Sequence, residues 1–240
     1  MKSIKIVSAI AGLLILSSCN LDINIGQVHG DGNVVTEDRT TSADFNEVKG
    51  SAGLIVYLTE GSENKIVVEA DENLLEHIET DIHNGRLTIR SKKNIGRAKA
   101  KKVHVTYTYL DHIIASSGAD VVGNSVIKNE NIYLDASSGA DIDIEVFGKE
   151  IFAESSSGAD IKLTGKATSL KASASSGSEI NARELNVLKC KAGASSGADI
   201  IVNVKEKLAT NASSGGSIRY YGNPTAVSND KSRSGSVRKM

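Results

Sequence analysis

The sequence Ser137-Ser138-Gly139-Ala140-Asp141 recurs along the second half of the chain, and this repeat is the main indication of the architecture. Close copies begin at Ser116, Ser156, Ser175, Ser195 and Ser213, and a shortened copy, Ser234-Gly235-Ser236, follows them. The glycines of these copies stand at positions 118, 139, 158, 177, 197, 215 and 235, so they are 21, 19, 19, 20, 18 and 20 residues apart. A nearly constant spacing of this kind predicts a repeat architecture.

Each repeat has the alternation that is typical of half-buried β-strands. Around Gly139 the even positions from Ile132 to Ile144 are apolar, except for Ser138, whereas the odd positions are mostly polar. The same parity recurs around Gly177 and Gly197, and helical spacing fits none of these segments. Each repeat is therefore predicted to contain a strand, a Ser-Ser-Gly corner, a second strand and a second corner, such as Phe147-Gly148-Lys149.

A unit of this length cannot bury its own apolar side, but stacked copies would bury a continuous core. A propeller blade needs about 40 residues, and the chain lacks the Leu and Asn signature of leucine-rich repeats. The pattern therefore predicts an all-β protein, a parallel β-helix with about seven rungs of roughly 20 residues. Glycine supplies torsions that the corner needs, and the two serines are expected to hydrogen-bond along the stack.

The first eighteen residues have the layout of an export signal. Lys2 and Lys5 precede the uncharged stretch 6–16, which is shorter than the roughly 20 residues of a membrane span. The residues Leu16-Ser17-Ser18-Cys19 resemble the bacterial lipoprotein signal, in which the cysteine receives lipid and becomes the mature N-terminus. We expect a protein exported to the bacterial cell envelope and anchored by lipid on Cys19, with the outer membrane as the expected site; an ordinary signal peptide is the alternative.

The segment before the repeats shows looser strand signals. Residues 45–57 are predicted as two strands around a weaker corner, Gly50-Ser51-Ala52-Gly53. Asp71 is expected to act as N-cap of a short helical turn, and Asn84-Gly85 predicts a β-hairpin. The chain is then predicted to divide into four parts. They are a signal peptide (1–18), a lipid-anchored tether with a first strand (19–44), an N-terminal β-rich part (45–109) and the repeat β-helix (110–240).

Together these motifs resemble the head GIN domain family of auto-transporter adhesins, which are found mainly as lipoproteins of Bacteroidetes. The matching segments are Phe45-Asn46-Glu47-Val48 with Gly53, Glu69-Ala70-Asp71-Glu72-Asn73-Leu74, Gly85-Arg86-Leu87, Val103-His104-Val105 and the Ser-Gly-Ala-Asp rungs. The resemblance covers residues 30–220. It implies a right-handed β-helix-like fold and an envelope location, and it supplies no catalytic residues and no known biochemical activity.

Composition limits the classes of function. The 28 basic and 29 acidic residues leave a net charge of −1, which argues against a dedicated nucleic-acid-binding protein. Two cysteines cannot make a disulfide framework, and no zinc-ligand spacing occurs. Cys190 occupies the repeat position that holds Ile132 and Leu170 in other rungs, so it is predicted to be a buried hydrophobic residue. The sequence therefore predicts no cofactor, no nucleic-acid partner and no catalytic residue.

One acidic residue follows each of the first five corners and is expected to form a column on the outside of the helix. Its members are Asp120, Asp141, Asp160, Glu179 and Asp199. Stacked carboxylates repel unless cations lie between them, so weak binding of a divalent cation is one interpretation. The alternative is that each carboxylate caps its corner by accepting hydrogen bonds from backbone N–H groups.

A second column combines rings and lysines. His112, Tyr133 and Phe152 stand six residues before their corner glycines, and Lys171 and Lys191 continue the column. Tyr133, Phe152, Lys171 and Lys191 are therefore candidate ligand-binding residues, since exposed rings can contact a sugar. The alternatives are an aromatic ladder that stabilises the fold and rings covered by the N-terminal strands.

A third candidate is the stretch 82–110, which has eight basic residues and no acid. It either holds anionic glycan or lipid headgroups or forms a solvated hairpin.

These features predict a lipid-anchored envelope binding protein without enzymatic activity, an adhesin that presents a repetitive β-helix surface to a glycan or a protein. The acids are regular and belong to the repeat, whereas an enzyme needs a distinctive acid–base cluster in a cleft. A polysaccharide-degrading β-helix enzyme and a structural envelope spacer are the alternatives. The ligand, the membrane side and the oligomeric state stay open.

Overall fold

The chain forms a parallel β-solenoid of about seven turns, as the repeat predicts. The computed structural model describes residues 26–41, 43–231 and 234–240. The predicted signal peptide and Cys19 lie outside these residues. Among the residues described, no helix is both long and apolar enough to cross a membrane.

Long strands run from one Ser-Ser-Gly corner to the next and pair in parallel with the rungs on either side. Because each strand spans the second corner, that corner is a bend within a strand and not a separate turn. The strands of this part are β8 (His112–Ser116), β9 (Asp120–Gly123), β10 (Ile127–Ser137), β11 (Asp141–Ser156), β12 (Asp160–Ser175), β13 (Glu179–Ala194), β14 (Asp199–Ala212), β15 (Ser217–Tyr221), β16 (Ala226–Lys231) and β17 (Ser236–Lys239).

Two consecutive residues with left-handed backbone torsions make each corner. At Ser157-Gly158 the φ angles are 55° and 70°, and the other copies repeat these values closely. The N–H of Gly158 donates to the carbonyl oxygen of Ser176, in the next corner, over 3.1 Å. The same bond, at the same length, joins the corners that contain Gly118, Gly139, Gly177 and Gly197 to their successors. The corner glycines therefore lie in one row, as predicted.

The second serine of each pair takes part in hydrogen bonds along the stack, as predicted, but through its backbone carbonyl oxygen and not through its hydroxyl. From Ser116 to Ser214 no hydroxyl of a Ser-Ser corner pair makes a hydrogen bond in the residues described, and backbone N–H and C=O groups make most of the connections between these corners. Two further bonds involve other serine hydroxyls: Ser178 donates to the carbonyl oxygen of Ser155 over 2.9 Å, and the hydroxyl of Ser234 accepts from the N–H of Ser214 over 3.1 Å. The left-handed torsions explain this arrangement, because they turn the peptide groups along the solenoid axis and leave the second serine of each pair exposed.

Apolar side chains of like type lie above one another inside the solenoid. In one such column Leu170, Cys190 and Leu208 are paired across β12, β13 and β14. Cys190 is 5% exposed, and burial raises the pKa of its thiol to about 12. The prediction that Cys190 is a buried hydrophobic residue is confirmed.

Rungs differ in length, and the difference is absorbed at the second bend. Across β13 and β14 the paired residues Glu179 and Asp199 are 20 apart in sequence, whereas Cys190 and Leu208 are 18 apart. The register shifts occur between Ala182 and Lys189, on the side away from the Ser-Ser-Gly corners. The corners therefore stay aligned although the spacing of their glycines varies.

The N-terminal part joins the same hydrophobic core. Its elements are β1 (Val34–Arg39), β2 (Glu47–Gly50), β3 (Ile55–Glu60), β4 (Lys65–Asp71), a 3-10 helix (Glu72–His77), β5 (Ile78–His83), β6 (Arg86–Ser91) and β7 (Lys101–Tyr107). Ala52 and Gly53, with φ angles of 60° and 68°, make the predicted weaker corner between β2 and β3. The hairpin turn at Asn84-Gly85 joins β5 and β6, as predicted.

The order of the first rungs in space differs from their order in the chain. Strands β2 and β3 pair with β8 and β9 on one side and with β6 and β7 on the other. The first rung in the chain, formed by β2 and β3, is therefore second in space. The strands β6 and β7 that follow lie on one side of it, at the end of the solenoid, and β8 and β9 lie on the other side. Antiparallel pairs of β4 with β1 and β7, and of β5 with β6, complete that end.

Asp71 holds this end together and does not act as the predicted N-cap. The 3-10 helix begins directly after it, but the side chain makes no capping hydrogen bond. Instead its carboxylate, 1% exposed, accepts hydrogen bonds from the backbone N–H groups of Gly32 (2.9 Å), Lys99 (3.1 Å) and Ala100 (2.8 Å). Burial raises the pKa of Asp71, but the hydrogen bonds from these three amides outweigh burial and hold the pKa below its ordinary value.

We expect Gly158→Ala to lower the free energy of unfolding by about 1–2 kcal/mol, because an L-residue with a side chain resists the left-handed torsion that the corner requires. Gly193→Ala is the matched control, since Gly193 has no left-handed φ and an added Cβ would meet no atom within 4 Å. The measurement is urea denaturation at equilibrium. Equal effects of the two substitutions would contradict the role assigned to the corner.

Asp71→Asn is expected to lower the free energy of unfolding at pH 7 by about 1–3 kcal/mol, because buried N–H donors lose their charged acceptor. The pKa of Asp71 is lower in the folded than in the unfolded state, so its contribution is present above the unfolded value, about 3.9, and is lost as pH falls through the folded pKa. The difference between the two proteins should therefore shrink below about pH 4.

The matched control is Asp81→Asn, whose side chain is 64% exposed. This substitution should change the unfolding free energy little at any pH. A difference between wild type and Asp71→Asn that does not depend on pH would show that the charge of Asp71 is unimportant.

Candidate functional site

Three outward-facing columns form one face of the solenoid, on the strand segments that precede the corners. We call it the groove face. Its central column is Phe152, Lys171, Lys191, Ala209 and Ser228, one residue from each of β11, β12, β13, β14 and β16. The columns on either side are Glu150, Ser169, Lys189, Lys207 and Ala226, and Glu154, Ser173, Gly193, Asn211 and Asp230. Alternation along each strand turns all of these side chains outward.

The rings predicted to share a column do so, and they stack. Tyr133 and Phe152 are nearly parallel, with centroids 4.6 Å apart, and His112 lies 5.5 Å from Tyr133 on the other side. The ammonium group of Lys171 sits 4.5 Å from the centroid of Phe152. Tyr133 is 40% exposed, so the N-terminal strands do not cover the ladder.

This geometry decides what the rings can do. Each face of Tyr133 is occupied by a neighbouring ring, and Lys171 covers the face of Phe152 that points away from Tyr133. Only the outward edges of these two rings are therefore exposed to solvent. A sugar cannot stack on a ring face without displacing Lys171. The aromatic column therefore acts as a stabilising ladder, and it forms a wall at one end of the groove face.

A groove with a volume of about 520 Å³ runs beside the central column. Phe152, Lys171 and Lys191, three of the four candidate ligand-binding residues, line it, whereas Tyr133 does not. Its opposite side is low because Ser173 and Gly193 are small, and Asn211, Thr210 and Asp230 add polar groups towards its far end. We call this the glycine groove.

A second groove, of about 510 Å³, lies on the other side of the central column. It shares Lys171 and Lys191 and adds Lys189 and Lys207, which are not among the residues predicted from the sequence. Both stand eight residues before their corner glycines, so the repeat spacing contained the signal. We call this the lysine groove.

The acidic residues after the corners also form the predicted column, on the other side of the corners from the groove face. Asp141 pairs with Asp120 and with Asp160, and the register continues to Glu179 and Asp199. Burial, followed by the charges of Asp120 and Asp160, raises the pKa of Asp141. The carboxylates therefore repel one another, as the stacking predicts.

The described residues show no contact that supports either cation binding or corner capping by this column. In the parts of the chain that the structure describes, no group of three or more His, Cys, Asp or Glu side chains is placed to hold a metal ion. The described corner amides donate to backbone carbonyl oxygens or to serine hydroxyls, and not to these carboxylates; the amide of Asp120, for example, donates to the carbonyl oxygen of Leu54 over 3.0 Å. Cation binding by the column stays a prediction, and the structure shows no capping hydrogen bond.

The basic stretch 82–110 is partly neutralised by acids from other segments. Arg86 pairs with Glu47, and Lys102 pairs with Glu69 over 2.9 Å. Hydrogen bonds from Lys102 first and then His104 hold the pKa of Glu69 below its ordinary value. Arg90 and Lys92 both pair with Glu79, so four of the eight basic residues form ion pairs in the described residues. This partial neutralisation favours the hairpin interpretation over an anion site.

The fold and the groove face define a class of protein: a parallel β-solenoid that carries a regular, charged and grooved surface. The chain belongs to the family described as "Putative auto-transporter adhesin, head GIN domain", which matches residues 44–224. The resemblance noted in the sequence is thereby confirmed, and the family name associates the chain with adhesion at the cell envelope. No functionally curated protein matches the sequence.

Solved structures share the fold. A "putative adhesin" from Bacteroides fragilis is 20% identical, with a TM-score of 0.82 over 89% of this chain and 100% of that one. A "putative adhesin" from Parabacteroides merdae is 23% identical, with a TM-score of 0.67 over 90% and 99%. A "putative lipid binding protein" from Parabacteroides distasonis is 18% identical, with a TM-score of 0.69 over 89% and 99%. None of these three is named for a catalytic activity, and at such identities the similarity shows the fold alone.

Proposed function

We propose that this protein is a non-enzymatic, lipid-anchored adhesin of the bacterial cell envelope and that its groove face binds a glycan chain. The observation that carries the proposal is the glycine groove, which crosses the rungs from Phe152 to Ser228. Five rungs enclose four spacings of about 4.8 Å, so the groove is roughly 19 Å long. An elongated polymer of polar units fits such a shape.

The chemistry of the glycine groove suits sugar hydroxyl groups. Asn211 and Ser173 offer exposed amide and hydroxyl groups, and Lys171 and Lys191 offer ammonium donors. The edge of Phe152 and the small residues beside Gly193 provide apolar surface between them. Pockets of this kind, with a few polar groups on a mainly apolar lining, are typical of binding sites.

The placement of acids supports a binding role over glycan hydrolysis. The two carboxylates that line the glycine groove, Glu154 and Asp230, lie on β11 and β16. They are four rungs apart, roughly 19 Å, whereas glycosidases hold their two carboxylates about 5–10 Å apart. The groove therefore offers surface for contact without the acid–base pair that hydrolysis requires.

Lipid on Cys19 would hold the solenoid at a membrane. The first strand of the structure, β1, begins at Val34, so the residues between Cys19 and Val34 would connect the lipid to the solenoid. Several acyl chains give stable anchoring, because each buried methylene group contributes about 0.8 kcal/mol. The family's association with adhesion supports this address.

We expect the wild-type protein to bind to a glycan array of neutral and uronate-bearing oligosaccharides. Gly193→Tyr should bind at least tenfold more weakly, which is a loss of about 1.4 kcal/mol of binding free energy. The tyrosine would project into the glycine groove from a position where an added Cβ meets no atom within 4 Å. The matched control is Gly193→Ala, which should bind as the wild type does. Absence of binding to every glycan, or equal binding by both variants, would overturn the proposed site.

The anchor has its own test. Wild-type protein and Cys190→Ala should incorporate a labelled fatty acid in cells and partition into detergent, whereas Cys19→Ser should do neither. The chain has only these two cysteines, so the control separates lipid on Cys19 from lipid elsewhere. Lipid labelling that persists in Cys19→Ser would refute the anchor.

A further inference from the structure

We infer that the groove face selects acidic glycans, chains that carry a carboxylate or sulfate on successive sugar units. This inference rests on the proposed function and names its ligand class. The observation behind it is the lysine groove, where Lys171, Lys189, Lys191 and Lys207 lie on three successive strands.

These four lysines form an uncompensated positive patch. The three columns on β12, β13 and β14 hold nine positions, of which four are lysine and none is acidic. No carboxylate in the described residues forms an ion pair with any of the four, although ion pairs are frequent elsewhere on the surface. Glu150 is the one carboxylate that lines the lysine groove, and it stands on β11, outside the three lysine-bearing strands. The four ammonium groups therefore outnumber the acid in this groove and have no ion-pair partner in the described residues, and charge complementarity favours an anionic ligand.

The arrangement of the lysines suits an extended chain. Lys171 and Lys191 are neighbours across two strands in the central column, and Lys189 and Lys207 are neighbours in the next column, displaced by one strand. The positive charges thus follow a diagonal band across the rungs, with neighbouring strands about 4.8 Å apart. A polymer lying along this band would meet a new ammonium group at each rung.

Acidic residues at the two ends of the groove face favour a narrow ligand over a membrane surface. Glu150 and Glu154 stand on β11, beside Phe152, and Asp230 stands on β16. A broad anionic bilayer would also approach these carboxylates, which repel it. A single glycan chain can occupy the band between them, so the structure favours the glycan.

The probe is an oligogalacturonate, compared with its methyl-esterified form, which has the same sugar chain without the charge. We expect the acidic form to bind wild-type protein at least tenfold more tightly at 0.1 M salt, and the advantage to decrease as salt screens the charges. Lys189→Gln with Lys207→Gln should remove at least tenfold of the acidic affinity and leave the esterified form unaffected, because these two lysines line only the lysine groove.

The matched control is Lys128→Gln with Lys162→Gln, which removes two charges from ion pairs with Glu60 and Asp143, away from the groove face. This variant should bind as the wild type does. Unfolding curves of both double variants show whether each retains its fold.

Each other outcome overturns the inference in a distinguishable way. Equal binding of the acidic and esterified chains would refute charge selection and leave the proposed glycan site standing. Binding of neither chain would overturn the inference, and a glycan array without any signal would remove the proposed function as well.

Lysine-dependent binding to phosphatidylglycerol vesicles without oligogalacturonate binding would assign the patch to a membrane. Salt-sensitive self-association in sedimentation, lost in Lys189→Gln with Lys207→Gln, would assign it to the acidic column of a second copy.

Discussion

The structure depends on one hydrogen bond, repeated from rung to rung, between a corner glycine N–H and the carbonyl oxygen of the serine in the next corner. This bond requires two consecutive residues with left-handed torsions, and the first of them is a serine, for which that torsion is unfavourable. The cost recurs at every rung, but so does the bond, and the row of bonds keeps equivalent residues above one another. The core columns and the surface columns both follow from that alignment.

Much of the solenoid could be predicted because its contacts repeat. The glycine spacing, the period-two alternation and the parity of Tyr133, Phe152, Lys171 and Lys191 are local signals, and stacking converts them into columns. The N-terminal end could not be predicted in the same way. The placement of β6 and β7 beneath β2 and β3 depends on pairing between distant segments, which no local pattern records.

The candidate site was predicted in part, for physical reasons that individual residues make clear. The ring column was found because aromatic residues are rare in this chain, whereas Lys189 and Lys207 are ordinary surface residues until the register places them beside Lys191. The position of Asp71 directly before a helical turn predicts a helix cap, but its carboxylate accepts hydrogen bonds from amides of two distant segments. Such long-range partners are visible only in three dimensions.

The second bend has a consequence for how this architecture can vary. Register shifts between Ala182 and Lys189 show that residues can be gained or lost there while both the corner row and the groove face keep their alignment. The second bend therefore tolerates insertions and deletions. Relatives can differ in length there, and a foreign peptide could be inserted there. The groove face, in contrast, keeps a constant spacing between neighbouring rungs. Equivalent contacts to an extended ligand would therefore repeat once per rung.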